Sequence, residues 1–287
     1  MHLNPKVLAI DPPATAQKLV TFIQDYVAKA HARGVVLGLS GGLDSATAAA
    51  LATHALGGKR VLGLYMPEDE TASPSDQRHV RLLATKFQFQ LTPIDLTAPL
   101  HALYHAIPDY DRRDRLSRGN LKARTRMLIW YYYANRHHRL AIASSDKSET
   151  LIGYFTKWGD HAADLAPLLD LYKTQVRQLA RHLGIPPAII KKPPTPALWH
   201  GQTAEDEIGL KYDTLDLILY GLEHFMPTET IAKQLRQPLT TVTAVKERWL
   251  NAEHKRQMPL TPKLAYRTVG HDLRLSRSYA RAEERTQ

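Results

Sequence analysis

Gly38-Leu39-Ser40-Gly41-Gly42-Leu43-Asp44-Ser45 joins the apolar run Val35-Val36-Leu37 to an alanine-rich segment, and its reading decides the fold. The run before it suits a strand buried on both faces. The alanines after it suit a helix over residues 44–56. Adjacent glycines between strand and helix let successive N–H groups turn toward one point, an anion-binding concavity at a helix N-terminus. Ser40 and Ser45 add hydroxyls. Asp44 beside phosphates needs a cation between them, and a hard ion such as magnesium favours both oxygen types. Asp44 as a plain helix cap after a glycine turn is the alternative. No Lys precedes Ser45, so the loop is not a Walker motif.

Outward from this loop, strands and helices alternate. Leu19, Phe22, Ile23, Tyr26 and Val27 recur at helical steps within residues 15–31. Strands are expected at 60–65, 90–95 and 140–143, and helices at 75–87, 100–107 and 120–137. The expected fold is therefore α/β, a Rossmann-like parallel sheet flanked by helices. Ligands in such sheets sit at the carboxyl ends of the strands, which points to the loops after Leu39, Tyr65 and Ala143. Residues 108–115 are too charged for a core element and read as a loop. Beyond Gly159 the pattern turns helical, at 173–183, 214–224, 228–236 and 239–253. One domain is expected over 1–262, with a sheet core at about 14–160, a mainly helical part at about 161–262, and a basic tail at 263–287.

Composition excludes several classes. A 44% hydrophobic and 23% charged chain is ordinary for a globular protein and argues against long disorder. No apolar run approaches the roughly 20 residues of a membrane span. The start Met1-His2-Leu3-Asn4-Pro5-Lys6 lacks the features of a secretory signal, so a cytoplasmic address is expected. There is no cysteine, which removes disulfides, thiolate metal sites and Cys nucleophiles. Thirty-eight basic against 28 acidic residues give +10, a field that attracts nucleotides as well as nucleic acids. Arg267, Arg274, Arg277, Arg281 and Arg285 concentrate charge near the end and read as a solvated tail.

The glycine loop resembles the pyrophosphate-binding loop of the N-type ATP pyrophosphatases, which form adenylates. Further blocks single out one family. Asn120-Leu121-Lys122-Ala123-Arg124-Thr125-Arg126-Met127, Lys147-Ser148-Glu149, Gly153-Tyr154-Phe155-Thr156-Lys157-Trp158-Gly159-Asp160, Leu171-Tyr172-Lys173-Thr174, Lys192-Pro193-Pro194-Thr195 and His254-Lys255-Arg256 are similar, in order, to the motifs of NAD synthetases. The resemblance implies the fold of the adenine nucleotide alpha hydrolases. It implies ATP contacts at Gly38, Leu39, Ser40, Gly41, Gly42, Leu43, Asp44, Ser45, Ser144, Lys173 and Thr195. It implies deamido-NAD contacts at Arg124, Lys157, Asp164, His254 and Lys255, and Mg2+ at Asp44 and Glu149. No acid–base residue is implied. The adenine contact is expected in the loop after Tyr65.

The reaction so implied is ATP-dependent amidation of deamido-NAD with ammonia, through an adenylate, to NAD, AMP and pyrophosphate. Relatives that draw nitrogen from glutamine carry an amidase domain with a Cys nucleophile. The motifs here begin near the N-terminus and no Cys is present, so free ammonia, or ammonia from a separate protein, is expected. A homodimer is expected by analogy. The chain departs from the family's usual pattern at Ser144-Ser145-Asp146, where Thr-x-Asn is common, and at His161-Ala162, where two glycines are common. Two other readings are an adenylating tRNA-modifying enzyme, suggested by the basic charge, and a non-enzymatic nucleotide- or DNA-binding regulator. The latter would use residues 229–249 as a helix-turn-helix.

Overall fold

The computed structural model describes residues 2–270, 272 and 273. Of the basic tail, Arg274, Arg277, Arg281 and Arg285 lie outside the described residues.

Helix α1 (Pro12–Lys29) begins three residues before the apolar periodicity does, because Asp11 accepts a capping bond from the Ala14 N–H at 3.0 Å and two prolines fill the first turn. It leads to β1 (Val35–Gly38), α2 (Leu43–Leu56), β2 (Val61–Tyr65), α3 (Pro74–Phe87), β3 (Gln90–Pro93) and α4 (Thr97–Ala106). Helix α5 (Arg115–Arg136) starts five residues ahead of the expected 120, capped by Asp114 on the Ser117 N–H. The charged loop is shorter accordingly. Strand β4 (Leu140–Ala141) is shorter than expected. Ile142 still donates to Val36 O at 2.9 Å, but Ala143 turns its N–H to Leu165 O at 2.8 Å.

The four strands are parallel in the order β3-β2-β1-β4. Val35 stands between Val61 on one side and Leu140 on the other. The strand order reverses at β1, so the crevice between the ends of β1 and β4 is where a ligand-binding site is expected.

One face of the sheet is covered by α1, α2 and, later in the chain, α7 (Lys173–His182), through Ile23, Val27, Leu51, Val176 and Leu179. Helix α2 is buried almost all round, and its alanines let it sit between the sheet and two helices. The other face is covered by α4 and α5 through Leu100, Trp130 and Ala134, and the Trp130 indole donates to Val36 O at 2.8 Å. Four short helices gave no periodic signal in sequence, being only four or five residues long: α6 (Lys147–Leu151), α8 (Pro187–Ile190), α9 (Ala204–Ile208) and α13 (Glu253–Arg256). Helices α10 (Tyr212–Glu223), α11 (Thr228–Leu235) and α12 (Leu239–Asn251) build a third core around Tyr212, Ile218, Ile231 and Val242. The apolar residues of the supposed helix-turn-helix are thus spent on packing against α10. Among the described residues no helix is long and apolar enough to cross a membrane.

Candidate active site

The glycine loop closes the end of β1. Leu39 N–H donates to Leu64 O at 2.8 Å, tying the loop to β2. Ser40 and Ser45 hold it shut: the Ser40 N–H donates to Ser45 Oγ at 3.3 Å, and the Gly42 N–H donates to Ser40 Oγ at 3.3 Å. Gly41 has φ +75°, and a Cβ there would stand 2.9 Å from Asp76 Cα, so a side chain is excluded twice over. No side chain caps α2, which leaves the helix N-terminus facing the loop. Asp44 sits in its first turn.

Asp146 and Glu149 come to the same place from beyond β4. The Asp146 carboxylate caps α6 by accepting from the Glu149 N–H at 2.9 Å, and this fixes the start of the turn that carries Glu149. Lys173 opens α7, its N–H held by Ser148 Oγ at 2.8 Å. Its ammonium lies 2.6 Å from Asp44 Oδ2, 2.6 Å from Asp146 Oδ2 and 2.9 Å from Glu149 Oε1. Tyr212 donates its hydroxyl to Glu149 Oε1 at 2.6 Å. Burial pushes the Asp44 and Asp146 carboxyls up, against the pull of Lys173. Burial opposes the charge on Lys173 too, but the combined attraction of Asp146, Asp44 and Glu149 outweighs it and holds the ammonium well above the ordinary lysine value.

These residues fit a divalent cation. One carboxylate oxygen from each of Asp44, Asp146 and Glu149 lies within 4.8 Å of the others, and Asp44 Oδ1 is buried without a hydrogen-bond partner. Three carboxylates against one ammonium leave an excess of negative charge among hard oxygen donors.

Above the cluster opens a cavity of about 360 Å³. Gly38, Leu39, Ser40, Asp44 and Ser45 line its floor, with Ser144, Glu149, Thr195 and Lys255 around it. The loop after Tyr65 contributes Met66, Pro67 and Thr71, where the adenine contact was expected. Lys173 reaches the carboxylates from below and is fully buried. Thr195 turns its hydroxyl to Gln202 O at 2.7 Å. Lys255 donates to Gly153 O and Phe155 O at 2.8 and 3.0 Å, and burial lowers its pKa.

Arg124, Lys157 and His254 form a string outside the cavity lining. The Arg124 guanidinium donates to Lys157 O, and Lys157 Nζ donates to His254 O at 2.6 Å. Asp164 is elsewhere, at the sheet edge, with Oδ2 accepting from the Ala141 N–H at 2.7 Å.

The loop at His161-Ala162 does not need the backbone freedom of glycine. Neither His161 nor Ala162 adopts a positive φ; Trp158, at +60°, takes the left-handed turn. His161 stacks on Phe155 with ring centroids 4.3 Å apart, and burial lowers its pKa. Sequence reasoning did not assign Asp146, Tyr212, Lys122 or Arg126, yet each meets the site or its loops. In sequence Asp146 stands out only as a departure from the family's usual Asn. Tyr212 lies in no motif, and only the packing of α10 against α6 brings it to Glu149.

A parallel sheet with a glycine loop at its switch point, flanked by helices and ending in a carboxylate cluster, is the Rossmann-like architecture of the adenine nucleotide alpha hydrolases. The chain belongs to the NAD synthase family, whose profile matches residues 15–259. The NH3-dependent NAD+ synthetase of Methanocaldococcus jannaschii is 43% identical over 251 residues, covering 86% of this chain and 95% of that protein. An NMN synthetase structure from Francisella tularensis superposes with a TM-score of 0.77 at 32% identity, covering 89% of this chain and all of that one. An NH3-dependent NAD synthetase from Campylobacter jejuni, solved with a nitrate ion, has a TM-score of 0.74 at 30% identity and the same 89% coverage of this chain, again matching all of the other.

Proposed function

We propose that this chain is an ATP-dependent ligase that amidates deamido-NAD with ammonia, giving NAD, AMP and pyrophosphate. The observation that carries the reading is the meeting of the glycine loop with the Asp44, Asp146, Glu149 and Lys173 cluster beneath one cavity, in a chain of this family. The nicotinate carboxylate attacks the α-phosphorus of ATP, and the bond to the β-phosphate oxygen breaks, releasing pyrophosphate. Ammonia then attacks the activated carbonyl, the C–O bond to AMP breaks, and a proton leaves the new amide nitrogen. Activation is needed because a carboxylate oxygen is a poor leaving group.

The loop N–H groups and the N-terminus of α2 bind and orient the triphosphate. Asp44 and Glu149, with Asp146 beside them, would hold magnesium, which supplies charge neutralisation at the departing pyrophosphate. Lys173 keeps the three carboxylates together. Ser144 and Thr195, which line the cavity, and Lys173, buried beneath it, are assigned to ATP. Arg124, Lys157, Asp164, His254 and Lys255 are assigned to deamido-NAD; the hydrogen-bonded string of Arg124, Lys157 and His254, with Lys255 in the cavity lining, supports this. The chain has no cysteine to support a thiol-based glutaminase step. The address is cytoplasmic and the assembly a homodimer. Supporting the latter, Leu128 and Tyr132 lie one turn apart on one face of α5, each more than 60% exposed.

The test supplies purified protein with ATP, magnesium and deamido-NAD, plus either ammonium or glutamine, and measures NAD, AMP and pyrophosphate. NAD with ammonium alone is expected. ADP and orthophosphate as products, or no NAD, would overturn the reading. Nicotinate mononucleotide in a parallel arm separates the dinucleotide substrate from the one suggested by the Francisella relative's name.

A further inference from the structure

Helix α5 carries a lysine that no part of the proposed chemistry uses. Lys122 is 1% exposed, and its three ammonium protons are all committed. Nζ donates to Glu68 Oε1 at 3.0 Å, to Glu70 Oε2 at 2.6 Å and to the Leu198 carbonyl at 3.0 Å. Glu68 is itself buried, and it also accepts from the Thr71 hydroxyl at 2.5 Å and the Glu70 N–H at 3.0 Å. Glu70 is shared with Arg118, one turn earlier on α5, at 2.7 Å.

The two segments that meet on this ammonium are distant in sequence and share one role. The loop after β2 lines the cavity through Met66, Pro67 and Thr71, and the loop between α8 and α9 lines it through Pro194, Thr195 and Leu198. The second loop has little secondary structure to steady it. It is held at its start by Lys192 on Asp76, and internally by Gln202, which accepts from the Leu198 N–H at 2.8 Å. The fixed point at its middle is the Leu198 carbonyl on Lys122. Gly119 lets the loop come that close, since a Cβ there would stand 3.1 Å from Leu198 Cδ1 and 3.3 Å from Trp199 Cζ3.

We propose that Lys122 is a positioning residue that pins the loop after β2 and the Thr195 loop to α5, so that the two walls of the nucleotide cavity stand ready before ATP arrives. The proposal rests on the cavity being the ATP site. A buried ammonium suits the task because it is directional toward three oxygens, and neither loop can leave without stranding a charge or a donor in the interior.

The test uses the full chain. Lys122→Met alone strands Glu68, so the informative variant is Lys122→Met with Glu68→Gln, which removes the ammonium and neutralises the carboxylate. Amide hydrogen exchange without nucleotide should accelerate at least about tenfold at 194–199 and 68–72, with the core of α2 unchanged. The dissociation constant for ATP should rise about tenfold while kcat at saturating ATP stays within about threefold, because preorganisation is lost and the reacting groups are not. Unchanged exchange at 194–199 overturns the proposal. So does acceleration spread evenly over the chain, a variant that no longer folds, or a fall in kcat with ATP affinity intact. The exchange arm needs no turnover, so it decides the positioning role even if the chain makes no NAD.

Discussion

The cluster around Lys173 is where single residues weigh most. Its ammonium is buried against three carboxylates, so Lys173→Met would leave those charges uncompensated in a poorly solvated place. Losing one partner of a buried ion pair costs about 3–5 kcal/mol, and a fall of that order in urea unfolding free energy is expected. Asp44→Asn and Glu149→Gln act differently. Each keeps the shape and removes one charge proposed to hold the metal, so turnover should fall by about 100-fold or more with the far-ultraviolet dichroism unchanged. Near-normal kcat in either variant would remove that residue from the metal assignment. Asp44 stood out as a candidate metal carboxylate because an acid beside phosphates makes chemical sense only with a cation. Lys173 was legible through its motif alone, and its burial was not. An isolated lysine on a helix reads as solvated until three carboxylates from two other segments surround it.

At the scale of elements, α6, α7 and α10 are joined by one side chain. Asp216 on α10 accepts from Ser148 Oγ at 2.5 Å and from the Thr174 N–H at 2.8 Å, and is itself buried. Burial pushes its carboxyl from the usual 3.8 up to about 6, despite those two donors. The sign follows from proton counting. Between about pH 4 and 6 the folded chain retains a proton that the unfolded chain has released, so this contribution to stability is present at low pH and is lost as pH rises through 6. The unfolding free energy of the native chain minus that of Asp216→Asn should therefore fall between pH 4 and pH 7. A flat or rising difference would mean that Asp216 is not held in this way. The long amphipathic helices and buried strands behind this arrangement were readable, because 3.6-residue and continuous apolar patterns arise from packing against one neighbour. The short helices α6 and α9 were not, since five residues carry too little periodicity. The early starts of α1 and α5 were set by caps at Asp11 and Asp114 rather than by apolar spacing.

Over the molecule as a unit, the proposed metal and the proposed assembly would both couple to stability. A cation bound only by the folded chain raises the unfolding free energy with its concentration, by about 2.7 kcal/mol at a hundred times its dissociation constant. Magnesium, or manganese as a substitute, should therefore stabilise the chain without ATP, and Asp44→Asn should blunt the effect. Equal stabilisation of both proteins would place the ion elsewhere. Sedimentation should show a dimer, and Leu128→Glu with Tyr132→Glu should yield a folded monomer. A native chain that is already monomeric would contradict the assembly proposed from the exposed pair on α5.

The glycine loop that decided the fold is local in every respect. A buried strand, two adjacent glycines, an acid and an alanine-rich helix are consecutive, so their chemistry could be read without knowing what faces them. The α/β class, the glycine loop between strand and helix, and the family were therefore all legible in the sequence. Tertiary structure alone decided that Asp146 joins Asp44 and Glu149, that Tyr212 reaches Glu149, and that Lys122 fastens two distant loops. Each of these joins segments far apart in the chain. Such contacts are selected by the packing of helices on the sheet, and no local pattern of residues records which partner a buried charge will meet.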